Sequence, residues 1–62
     1  MANPYPDPER AELLFTLDKV AMTKGLNRHQ KRFWWEEICG AATPETVEIA
    51  RLHTLLFRLE AL

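Results

Sequence analysis

Asp7-Pro8-Glu9 and Thr43-Pro44-Glu45 each place a hydrogen-bond acceptor, a proline and an acid in succession. That order starts a helix. The first side chain accepts from an otherwise unpaired N–H, proline fills a position that needs none, and the acid faces the positive end of the helix dipole. The chain has only two glycines, Gly25 and Gly40, each placed where a helix could end in a left-handed residue. Asn27 with Gln30 three residues on reads as a capping box. These signals predict an all-α fold of three helices, about 8–24, 28–39 and 44–62, with no strand pattern and no internal repeat.

Residues 1–7 stand apart. Pro4, Pro6 and Pro8 alternate with other residues, and each proline fixes its own φ while pushing its predecessor out of the helical region. The segment reads as an extended arm, with Tyr5 resting on a neighbouring helix, ahead of a single helical domain over 8–62.

On the helical wheel, Leu13, Leu14, Leu17, Val20 and Ala21 share one face of the first helix, and Ala11, Phe15 and Met22 extend the apolar arc. So wide an arc predicts packing on two neighbours. In the third helix Leu52, Leu55, Leu59 and Leu62 recur at spacings of three and four, the mark of a bundle seam, while Phe57 lies on another side. The first and third helices are expected to pack antiparallel, with the second crossing one end.

A chain of 62 residues buries only about 60% of the surface its unfolded form exposes, and so small a core commonly needs a staple or a partner. The lone cysteine, Cys39, excludes an internal disulfide. Apolar surface on more than one side of the helices therefore predicts a helical-bundle homodimer. No run approaches the ~18 apolar residues of a membrane span, and the N-terminus lacks the pattern of a signal peptide, so the expected location is the cytoplasm.

Phe33-Trp34-Trp35 is the most conspicuous segment. Three successive side chains sweep about 200° of a helix, more than one core-facing stripe can cover. Trp34 falls with Ile38 and reads as the core anchor. Trp35 lies beside Cys39, with Arg28, Lys31 and Arg32 on its side of the helix, and Phe33 points into a polar neighbourhood. Phe33 must be covered by the arm, another helix or a partner, or not at all.

The net charge of -1 conceals blocks: residues 1–23 carry four acids against two bases, 24–32 four bases and no acid, and 33–62 five acids against two bases. A near-neutral total argues against nonspecific binding to nucleic acid by the whole chain, yet Lys24, Arg28, Lys31 and Arg32 with Trp35 could neutralise phosphates and stack a base. A structural cation-π contact at Trp35 is the commoner outcome. Read as a helix-turn-helix, the segment would begin its recognition helix with Glu45 and Glu48, where phosphate and base contacts belong.

Nothing points to catalysis. His29, Cys39 and His53 lack the paired spacings of zinc sites, Glu36 and Glu37 diverge as helical neighbours, and two glycines make no phosphate loop. The reading is a small non-enzymatic regulatory or adaptor protein without cofactor or metal. It would bind another protein, as an inhibitor or modulator of a larger one, through Phe15, Arg28, Lys31, Arg32, Phe33, Trp35 and Phe57. A nucleic-acid-binding regulator using Lys24, Arg28, Lys31, Arg32 and Trp35 is the alternative, and a structural oligomerisation module the third.

Overall fold

A computed structural model describes residues 7–62, all helices and turns: α1 spans Pro8–Thr23, α2 Arg28–Cys39 and α3 Ile49–Glu60. The proline-rich arm with Tyr5 lies outside the described residues, except for Asp7.

The termini of α1 and α2 follow the sequence signals. The Asp7 carboxylate accepts from the Glu9 N–H at 3.0 Å, with Pro8 at the first helical position. At the other end Gly25, at φ 73°, donates to the Met22 carbonyl and Leu26 to that of Ala21, the paired bonds of a Schellman close. Leu26 then packs against the core, which fixes the exit direction of the chain. The Asn27 side chain accepts from the Gln30 N–H at 2.8 Å and the Gln30 side chain from the Asn27 N–H at 2.9 Å, completing the capping box of α2. Gly40 leaves α2 at φ 66° and ψ -137°, a conformation open essentially to glycine alone.

The third helix begins later than the sequence indicates. Thr43-Pro44-Glu45 does nucleate a turn, with the Thr43 carbonyl accepting from Thr46 at 3.0 Å and Val47 at 2.9 Å. That turn is not continued, and α3 begins only at Ile49 and ends at Glu60 rather than running from 44 to 62. The physical reason is Arg10. Its guanidinium donates to the Pro44 carbonyl at 3.1 Å and to the Val47 carbonyl, the groups that would accept from residues 48 and 51 in a continuous helix. Val47 is thereby turned inward and buried.

Helices α1 and α3 run parallel, not antiparallel. Arg10 at the start of α1 reaches the residues just before α3, Glu9 meets His53, and Lys24 at the end of α1 donates to the Leu62 carbonyl at 2.9 Å. Two chain reversals, at Gly25 and at residues 40–48, restore the original direction. Between them α2 runs opposite to α3, with Arg51 donating to the Ile38 carbonyl at one end and Arg58 beside Phe33 and Trp34 at the other.

The core is built on α3. Leu52, Leu55 and Leu59 meet Leu13, Leu17 and Ala21 of α1, with Cys39 and Val47 closing the sides. Helices α1 and α2 each pack on α3 and have little contact with each other. The wide apolar arc of α1 is therefore only partly used: Phe15 is 65% exposed and Met22 79%.

Candidate protein-interaction site

Because α1 and α2 splay apart over α3, an apolar cleft of about 260 Å³ opens between them. Leu55 and Leu59 form its floor, Leu14 and Leu17 one wall, and Trp35 the other. The only charged side chains on its lining are Asp18 and Lys31, 3.9 Å apart and both solvent-accessible.

Trp35 is held in this wall by a hydrogen bond from its indole N–H to the Ala42 carbonyl at 2.9 Å. The bond depends on the glycine exit at Gly40, which brings the Ala42 carbonyl back to the edge of the ring. Trp35 thus shares the cleft with Lys31, and among the described residues no cation-π contact joins it to a basic side chain. The cation-π contact of the described residues is Lys19 over Phe15, 5.4 Å from the ring centroid. Trp34 is half-buried against the edge of the core rather than its anchor, and the buried residue of α2 is Cys39.

The basic block is dispersed by local pairing. Lys31 faces Asp18, Arg32 pairs with Glu36 at 3.4 Å one turn on, and Lys24 is engaged with the Leu62 carbonyl. Arg28 is exposed on the first turn of α2. Of the residues singled out from sequence, the cleft collects Lys31 and Trp35. Phe15 is exposed on α1, Phe57 is 72% exposed on α3, and Phe33 occupies a separate face.

Phe33 is covered by neither a helix nor the turn and is 59% exposed. Its ring stands edge-on to Trp34, centroids 5.6 Å apart and planes at 81°. Together with Glu37, Ile38 and Arg58 the two rings line a second cleft between α2 and α3.

Cys39 is buried, and loss of solvation pushes its thiol above the ordinary value, opposed in part by the nearby Arg51 charge. A thiol held protonated is a small hydrophobe rather than a nucleophile. His53 meets Glu9 at 3.4 Å on the surface. Among the described residues no three His, Cys, Asp or Glu side chains converge as a metal site, and no helix is long and apolar enough to cross a membrane.

Sequence reasoning missed Arg10, Leu14 with Leu55 as cleft residues, and the pair Glu37 and Arg58. No protein-family model matches the chain, and comparison with curated proteins and with solved structures finds no match either.

Proposed function

We propose that this chain is a small non-enzymatic regulatory or adaptor protein, working as a homodimer, that takes a helical segment of another protein into the α1–α2 cleft. The observation that carries the reading is the splay itself: two helices diverge over a leucine floor and leave an apolar cleft flanked by one acid and one base. At about 260 Å³ the space suits one or two large side chains rather than a drug-sized ligand, which fits pockets of roughly 300–1,000 Å³. An amphipathic partner helix would set its apolar residues on Leu14, Trp35 and Leu55, with the Asp18–Lys31 pair at the rim beside its polar flank. Nucleic acid fits less well, because Lys31 and Arg32 already face acids and Trp35 is wedged in the cleft wall.

The test is affinity capture from extract of the native cell, with wild type beside Leu14→Glu and Lys31→Glu, each checked for helicity. One defined protein retained by wild type and by Phe33→Ala, but lost from both cleft variants, is the expected outcome. Retention that ignores the cleft variants, or depends on nucleic acid in the extract, would rule the cleft out.

A further inference from the structure

The α2–α3 face carries an arrangement that the partner cleft does not explain. Phe33 is largely exposed, yet its ring is held in place edge-on to Trp34. On the same cleft, of about 450 Å³, lie Glu37 from α2 and Arg58 from α3. Among the described residues neither forms an ion pair, although both border the same pair of rings.

A partner for such a face must supply an apolar ring, a base for Glu37 and an acid for Arg58. This chain's own face supplies all three. A two-fold axis lying in the plane of contact, at right angles to the line from Glu37 to Arg58, carries each of these groups onto the other. An isologous contact therefore satisfies both charges at once and brings the two aromatic pairs into the same interface. Aromatic anchors ringed by charge are where interface energy concentrates.

We infer that the occupant of this face is a second copy of the chain, with Phe33 against the partner's Phe33 and Arg58 of each copy against the partner's Glu37. The need for a partner is visible in the core, where, among the described residues, eight are buried: Leu13, Leu17, Ala21, Cys39, Val47, Leu52, Leu55 and Leu59. A standard interface covers ~800 Å² per protomer, roughly a sixth of the 4719 Å² that the chain exposes, so one face of two helices is sufficient. The α1–α2 cleft stays open in this pair, so the dimer would present two clefts.

The inference rests on the homodimer part of the proposed function and assigns its interface. Sedimentation of the full chain over a wide concentration range should show a reversible dimer. Phe33→Ala, Glu37→Arg and Arg58→Glu should each weaken it by about tenfold or more while leaving helicity unchanged. An equimolar mixture of Glu37→Arg with Arg58→Glu should restore the dimer, since each variant then meets the opposite charge at both contacts, something no intrachain role would produce. A wild-type dimer indifferent to all three substitutions would overturn this interface and leave the homodimer standing. A wild type that stays monomeric would remove both, and failure of the mixture to re-associate would remove the charge exchange.

Discussion

The guanidinium of Arg10 donates to the main-chain carbonyl of Val47, 37 residues away along the chain, and so joins the first turn of α1 to the turn that precedes α3. The Pro44 carbonyl shares the same donor group. Both carbonyls stand where the helix has stopped, and Arg10 takes the place of the N–H donors of residues 48 and 51.

Arg10→Met should therefore destabilise the fold by about 1.5–3 kcal/mol, the range for hydrogen bonds from a charged donor to partly buried groups. Urea unfolding followed by far-UV circular dichroism measures it. A loss below about 0.5 kcal/mol would mean that water replaces the guanidinium without penalty.

Trp35→Phe keeps an aromatic ring in the cleft wall but removes the donor to the Ala42 carbonyl. A loss of about 1 kcal/mol is expected. The variant should remain helical, and stability equal to wild type would show that the indole N–H contributes nothing beyond the ring.

The two glycines separate backbone strain from steric clash, because a Cβ at either would meet no atom within 4 Å. Gly25→Ala places alanine at φ 73° in a Schellman close, at a cost of roughly 1–2 kcal/mol. Gly40 combines φ 66° with ψ -137°, so Gly40→Ala should cost more, up to about 3 kcal/mol. Thermal unfolding of the two variants side by side tests the order, and the reverse ranking would refute the account.

The buried thiol of Cys39 gives stability a definite dependence on pH. Burial raises its value in the folded state above that of the unfolded chain. The unfolded chain then releases its proton first, so stability is full below the ordinary thiol value and falls as pH rises through it, until the folded thiol ionises too. Denaturant midpoints measured across this alkaline range should decline in wild type more steeply than in Cys39→Ala. Parallel profiles would contradict the assignment.

Much of the fold was legible because its signals are local. Asp7, Gly25, Asn27 with Gln30, and the Leu52-Leu55-Leu59 spacing each act within a few residues, and each behaves in the structure as its neighbours require. The start of α3 was not legible, since Thr43-Pro44-Glu45 is a sound helix start that a distant arginine interrupts. Direction failed for a related reason: an apolar stripe shows that two helices meet, not which way they run. In the site, the aromatic triplet singled out Phe33 as the ring outside the core stripe but left open what covers it. The wall position of Trp35 was not legible, because it depends on where Gly40 sends the chain to bring the Ala42 carbonyl to the indole N–H.

The division of contacts among the helices also sets which parts of the domain can open alone. Helix α3 supplies three of the most deeply buried side chains and touches both neighbours, whereas α1 and α2 depend on it separately. Amide protons of Leu55 and Leu59 should therefore exchange only when the whole domain unfolds. Those of α2 should exchange earlier, through an opening that leaves α1 seated on α3. Such a two-tier pattern would make α2, which carries Trp35 on one side and Phe33 on the other, the unit whose undocking disturbs both surfaces at once.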